Sequence, residues 1–168
     1  MKTIVITGPE STGKTTLLRS LRSRFEAIFV PEYARIFLNK KSVHTEFHHV
    51  LRIAQGQLEL YDKACENNPD YIISDTDLLV LHVWSKLKFP DFDFGKFYSW
   101  EKRPVDLYLL CEPDIPWESD ELREDPEGRY KIFNIYKKIL SKEAKNFIIL
   151  SGEEQERIEK AAKAIEDL

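Results

Sequence analysis

The sequence predicts an α/β fold: a parallel sheet covered by helices on both faces. Three observations carry this. Five short apolar runs are spaced along the chain, and most are continuous rather than alternating, as in strands buried on both sides. Helical stretches lie between them, the alternation that builds right-handed βαβ units. The length of 168 residues suits one domain with one core, so residues 1–168 are read as a single unit.

In chain order, Thr3 to Thr7 is the first strand and Lys14 to Phe25 the first helix. Ile28 to Pro31 is the second strand. Thr45 to Asn67 is a long helix whose Phe47, Val50, Leu51, Ala54, Leu58, Tyr61 and Cys65 fall on one stripe, with Pro69 ending it. Tyr71 to Ser74 is the third strand, and Asp77 to Leu87 the next helix. Val105 to Cys111 is the fourth strand, Pro126 to Ser141 a helix, Phe147 to Leu150 the fifth strand, and Glu153 to Asp167 the closing helix.

Composition narrows the function classes. Hydrophobic residues at 42% and charged residues at 32% are an ordinary globular mix. A net charge of −4 argues against a broad nucleic-acid surface. No window approaches the roughly 20 apolar residues of a membrane span. The apolar run before Gly8 and Pro9 is too short for a signal peptide. Cys65 and Cys111 share no metal-ligand spacing and are read as free, buried thiols of a reducing cytoplasm.

In parallel α/β sheets, ligands bind at the carboxyl ends of the strands. The first such end carries GPESTGKT, a match to G-x-x-x-x-G-K-[ST] between a strand and a helix, which is the confirming context for a P-loop. Gly8 and Gly13 let backbone N–H groups turn toward phosphate oxygens. The helix that follows offers its free N–H groups and positive dipole end. Gly8, Pro9, Glu10, Ser11, Thr12, Gly13, Lys14, Thr15 and Thr16 are therefore expected to hold a nucleotide triphosphate. Lys14 lies near the β- and γ-phosphates and Thr15 supplies a hydroxyl to Mg²⁺.

Three lookalikes are set aside. Asn39-Lys40-Lys41-Ser42 lacks the aspartate of the guanine motif N-K-x-D and follows the wrong strand. Asp125-Pro126-Glu127-Gly128 and Asp93-Phe94-Gly95 spell D-x-x-G and DFG, yet neither follows a predicted strand.

The other strand ends supply an acceptor side. VPEYAR puts Glu32 and Arg35 across from the P-loop, an acid to take a proton and a cation for an anionic or polar substrate group; a surface ion pair is the competing reading. YIISD ends in Asp75, a Walker-B arrangement for Mg²⁺. Asp77 caps the next helix or meets the acceptor, and it can do both. Gln57 flanks the apolar stripe and needs a partner for its amide, either substrate or backbone. Tyr33, Trp84, Trp100 and Trp117 are candidates to stack on a ring, or to pack. His44, His48 and His49 are read as surface or packing residues. The polar stretch after the fourth strand, about residues 113–130, carries Trp117, Asp120, Arg123 and Arg129 and suits a lid whose arginines close over phosphates. Ser151-Gly152-Glu153-Glu154 offers backbone to adenine at Gly152 and Glu153, or caps the last helix through Ser151 and Glu154.

Together, GPESTGKTTL, PEYAR, IAQGQLE, ISDTDLLVLHVW and PWESDELR resemble the ribosylnicotinamide kinase domain of NadR proteins over roughly residues 1–165. The resemblance implies a P-loop NTPase fold: a three-layer α/β/α arrangement with a five-stranded parallel sheet and a helical lid. It also implies ATP and Mg²⁺ as cofactors, and transfer of phosphate to the 5′-hydroxyl of nicotinamide riboside. Lys14, Glu32, Asp75, Arg123 and Arg129 become the expected catalytic set, with Glu32 or Asp75 as base. Another nucleoside or nucleotide as acceptor, or a regulatory nucleotide-binding module, stays open. NadR proteins usually carry an adenylyltransferase domain ahead of the kinase, and some add a helix-turn-helix. With the P-loop at residue 8 neither is expected here, so adenylyl transfer and repression do not carry over. The expected setting is cytoplasmic, with a small-molecule partner, no nucleic acid and no membrane; the sequence leaves the oligomeric state open.

Overall fold

The computed structural model describes residues 1–38, 46–117 and 128–168. Five strands form one parallel sheet: β1 Lys2–Thr7, β2 Ile28–Val30, β3 Tyr71–Asp75, β4 Leu107–Cys111 and β5 Phe147–Leu150, in the order β2-β3-β1-β4-β5. Helices α1 Lys14–Arg22, α2 Tyr33–Leu38, α3 Phe47–Cys65, α4 Leu78–Lys88, α5 Arg129–Lys142 and α6 Glu154–Glu166 cover it. This is the three-layer α/β/α P-loop fold.

Side-chain alternation along the strands sorts the layers. On β1 and β4, Ile4, Ile6, Leu107 and Leu109 pack with Leu17, Leu18 and Leu21 of α1 and Ile158, Ala161 and Ile165 of α6. Val5, Tyr108 and Leu110 face the other way, into a core with α3, α4 and α5. Both strands are thus covered on both faces, which is why their sequences read as unbroken apolar runs. Each fully buried leucine or isoleucine contributes about 1.5–3 kcal/mol, so the two cores together dominate the stability of the sheet.

The sequence reading and the structure differ in instructive places. β3 runs one residue further than predicted, because Asp75 pairs with Ile6 of β1. β4 starts at Leu107 rather than Val105. Asp106 just before it accepts from Thr3 N–H through its carboxylate at 2.8 Å and donates its own N–H to Thr3 O at 2.9 Å. Helix α2 is not among the predicted helices; its six residues are too few for local propensity to reveal, and Tyr33, Ala34, Phe37 and Leu38 pack it against the core. Ile53 rather than Leu51 or Leu58 sits at the centre of the buried stripe of α3. Cys65, expected to be buried, is half-buried at the helix end, whereas Cys111 is buried. The cap of α6 is Glu153, which exchanges bonds with Glu156, not Ser151 with Glu154. The DFG string forms a short 3₁₀ turn, Asp93 accepting from Gly95 N–H, away from any strand end. Among the described residues no helix is long and apolar enough to cross a membrane.

Candidate active site

The sheet order places β1 between β3 and β4, so the loop leaving β1 meets the ends of both neighbours. That loop turns through left-handed backbone at Gly8 (φ 134°), Ser11 (φ 52°) and Gly13 (φ 77°). Gly8 has a second constraint: a Cβ there would lie 2.7 Å from Cys111 O at the end of β4. The loop is therefore pressed onto β4 by a contact that only glycine permits. Lys14, buried, folds back and donates to Gly8 O at 3.0 Å and to Pro9 O. Thr12 Oγ1 donates to Pro9 O at 2.9 Å, whereas Thr15 on the first turn of α1 is exposed.

Two arginines brace this loop from outside. Arg129, at the start of α5, donates through Nη1 to Ser11 O at 3.0 Å and Ile115 O at 3.2 Å. Arg157 of α6 is buried and contacts three loops at once. It donates to Thr12 O (3.2 Å), Glu112 O (3.2 Å) and Gly152 O (2.7 Å), and pairs with Asp114. Burial lowers the pKa of its guanidinium. Sequence reading missed Arg157. Its only signal was a cation at an apolar position of the α6 stripe, between Glu153 and Ile158.

The DTD turn separates its two carboxylates. Asp75 ends β3 beside Ile6, next to the P-loop strand, and is buried. Thr76 takes a left-handed conformation, φ 66°, unusual for a β-branched residue and a sign of stored strain at a site. Its N–H bonds Ile6 O at 3.0 Å and its carbonyl accepts from Ser74 Oγ at 2.6 Å. The turn reverses the chain so that Asp77 begins α4, where its Oδ1 accepts from Leu79 N–H at 2.9 Å. Its Oδ2 accepts from Tyr108 Oη at 2.8 Å. Burial pushes the Asp77 carboxyl up to about 6, against the opposing pull of these two donors and of Lys145 and Arg103.

A cavity of about 440 Å³ opens beside the P-loop, within the size range of small-molecule sites. Gly8, Pro9 and Glu10 form one wall; Glu32, Thr76, Asp77 and Trp84 lie on the others. Glu32 is buried and bonds Arg35 Nε at 3.0 Å, so the ion pair is present while Glu32 still lines the cavity.

The PEYAR turn is clasped from α3. Gln57 Oε1 accepts from Tyr33 N–H at 2.8 Å and its Nε2 donates to Pro31 O at 3.2 Å. The Tyr33 ring sits over Gly56, where a Cβ would come within 2.1 Å of it. Both ends of the Gln57 amide are thus used on backbone, while Gln57 also lines the cavity.

Of the aromatic candidates, Trp84 lines the cavity, with Lys88 Nζ 5.0 Å from its ring. Tyr33 packs on α3. Trp100 is a core residue against His82. Trp117 is exposed, at the edge of the described segment. Gly152, in a left-handed conformation, donates its N–H to Asp114 at 2.7 Å. His48 is exposed beside Glu46, and His49 accepts from Glu46 N–H at 3.1 Å. Asp120, Arg123, His44 and most of the lid expected over 113–130 lie outside the described residues. Tyr108 was missed as well; its signal was a phenol in the middle of a buried strand, which needs a partner for its hydroxyl.

The family model described as AAA domain matches residues 3–157. The trifunctional NAD biosynthesis/regulator protein NadR of Escherichia coli K12 is 28% identical over 128 residues, 73% of this chain and 31% of that protein. Its Salmonella typhimurium counterpart matches equally, at 28% over 128 residues. The chain thus spans about a third of the length of these curated relatives. Among solved structures, a NadR protein in complex with NR superposes with a TM-score of 0.82 at 25% identity, covering 99% of this chain and 51% of that one. A deoxyadenosine kinase from M. mycoides gives 0.70 at 15% identity, covering 99% and 100%, which speaks to the fold alone. The resemblance read from the motifs is found again in these matches.

Proposed function

The chain belongs to the AAA domain family, and from that premise we propose that it is an ATP-dependent kinase. It transfers the γ-phosphoryl to the 5′-hydroxyl of a small nucleoside, with nicotinamide riboside as the first candidate acceptor. One observation carries the reading: the P-loop residues Gly8, Pro9 and Glu10 share a single cavity with Glu32, Asp77 and Trp84. A phosphate held in the loop and a hydroxyl held in the cavity are therefore neighbours, and such positioning is most of what phosphoryl transfer asks of a protein.

Charge favours a nucleoside over a nucleotide as acceptor. Among the described residues lining the cavity, the carboxylate side chains are those of Glu10, Glu32 and Asp77, against one cation, Lys88. A phosphate-bearing acceptor calls for arginine or lysine around it, while a neutral or cationic nucleoside suits this lining. The NadR structure that this chain resembles holds NR, which agrees with that class.

The residues fit ATP and Mg²⁺. The glycine-built cradle at Gly8 admits no side chain, and the exposed Thr15 hydroxyl and buried Asp75 flank it. Among the described residues no cluster of three or more His, Cys, Asp or Glu could cage a metal. Mg²⁺ needs none, being held by one or two protein oxygens and the phosphates themselves. When bound at Thr15 and Asp75 it supplies neutralisation of phosphate charge. Lys14 exchanges its carbonyl partners in the loop for phosphate oxygens. Glu32, on the cavity wall, takes the proton of the attacking hydroxyl, and Arg129 with Arg123 steadies the transferring group. Free thiols at Cys65 and Cys111 suit a reducing, cytoplasmic setting.

Incubation with ATP, Mg²⁺ and a panel of nucleosides, nicotinamide riboside first, tests the proposal through ADP release. No nucleoside raising ADP formation above the acceptor-free rate sinks it and favours a regulatory nucleotide-binding module.

A further inference from the structure

We propose that Tyr108 is a positioning residue for the acceptor, its phenol fixing the Asp77 carboxylate to receive the hydroxyls of the acceptor's sugar. The inference rests on the nucleoside reading above and adds a residue that lies outside the cavity wall.

Tyr108 sits mid-strand on β4, fully buried, on the face that packs against α3, α4 and α5. Its hydroxyl reaches Asp77 Oδ2 at 2.8 Å. Burial, and the neighbouring carboxylate, push its pKa far up, so it stays a donor at any working pH. Asp77 needs only one donor to cap α4, and Leu79 N–H supplies it at Oδ1, 2.9 Å away. A phenylalanine at 108 would fill the same core volume with no hydroxyl to satisfy. The phenol therefore adds something that capping and packing do not require: a second donor, from the sheet, on the second carboxylate oxygen.

Two donors from two directions fix the plane of the carboxylate of Asp77, a residue that lines both this cavity and a smaller one beside Arg103. An ionised carboxylate has about four acceptor positions. With two occupied by the protein, two remain, which matches the two hydroxyls of a vicinal diol. A carboxylate free to rotate would offer the same oxygens with no fixed spacing, and binding would then carry the ordering cost.

The test is steady-state kinetics on the best acceptor of a ribonucleoside panel, for the wild type, Tyr108→Phe, Asp77→Asn and the double variant. Tyr108→Phe is expected to raise the acceptor KM about tenfold, leaving kcat and the KM for ATP within about twofold. In the Asp77→Asn background the same change is expected to add less than about twofold, since its effect runs through that carboxylate. An unchanged acceptor KM in Tyr108→Phe overturns the inference while leaving the nucleoside reading intact. So does an equal rise in both backgrounds, or a loss confined to kcat. A wild type that turns over no panel member refutes the nucleoside reading, and the inference with it.

Discussion

The two walls of the cleft are built from different materials. On the proposed nucleotide side the residues come from one stretch, Gly8 to Thr16, shaped by left-handed backbone at Gly8, Ser11 and Gly13. Gly8 pressed on Cys111 O, Arg129 on Ser11 O and Arg157 on Thr12 O then keep that stretch in shape. On the proposed acceptor side the lining residues come from separate elements: Glu32 after β2, Asp77 at the head of α4, and Trp84 within it. They are held at one remove, by Gln57 and Gly56 under the PEYAR turn and by Tyr108 under Asp77. A triphosphate looks the same to every enzyme that uses one, so a backbone cradle serves. An acceptor must be told from its analogues, and that takes side chains whose identity can vary.

The largest effects should therefore fall on the nucleotide wall and leave the acceptor wall alone. Lys14→Ala is expected to lower turnover by about 10²–10³-fold, with acceptor affinity by calorimetry unchanged. Loss of acceptor binding as well would mean that the two walls are not separable. Gly8→Ala goes further into structure: at φ 134° and 2.7 Å from Cys111 O, the new methyl has nowhere to go. It should cost about 1–3 kcal/mol of stability and abolish stabilisation by ATP in a thermal melt.

Asp75 and Asp77 sharpen the same division, because a single residue separates them. Asp75→Asn should cut kcat by about 10²-fold at any acceptor concentration and remove the Mg²⁺-dependent part of the ATP-induced melting shift. Asp77→Asn should keep that shift and raise the acceptor KM about tenfold. Equal losses of kcat in both would collapse the distinction that the Thr76 turn enforces.

The difference in materials also explains what could be read from sequence. A contiguous backbone cradle leaves a contiguous motif, so GPESTGKT and its strand–helix context were legible, as were the five strands and the two-sided burial of β1 and β4. The acceptor wall left only fragments. Glu32 and Asp77 stood out as acids at strand ends, but their supports lie far away in sequence: Gln57 is 24 residues from Tyr33 and Tyr108 is 31 from Asp77. Arg157 left only a cation on an apolar stripe for the same reason, since its partners Thr12, Glu112 and Gly152 come from three loops. The strand order decides such pairings, and no local pattern along the chain encodes it.

Gly56 offers a milder break on the acceptor side. A methyl there meets the Tyr33 ring at 2.1 Å, and the ring must move for α3 to close. Gly56→Ala should gain some helix propensity and still lose about 1–2 kcal/mol net through overpacking. As the PEYAR turn shifts, acceptor KM should rise by several-fold with the KM for ATP unchanged. A stabilised protein with unaltered acceptor KM would show that the clasp does not set the position of Glu32.

The smallest effect is in stability against pH, and it isolates Asp77. Its carboxyl is held at about 6 in the folded protein against 3.8 for the ordinary group. The cause is burial, only partly offset by Tyr108, Leu79 N–H, Lys145 and Arg103. Between about pH 4 and 6 the native state thus binds more proton at this site than the unfolded chain does. By linkage the contribution of Asp77 to stability is full below that window and is lost as pH rises through it. For a half-buried group the loss is on the order of 1 kcal/mol. Urea unfolding of wild type and Asp77→Asn at pH 4, 5, 6 and 7 measures it as a difference, so the other carboxylates cancel. The wild type should lose stability relative to Asp77→Asn as pH rises. A flat difference would mean that the donors of α4 and β4 fully compensate burial. Asp77 would then be as settled in its place as the backbone of the opposite wall, and the contrast between the walls would lie in their residues alone, not in how much strain they hold.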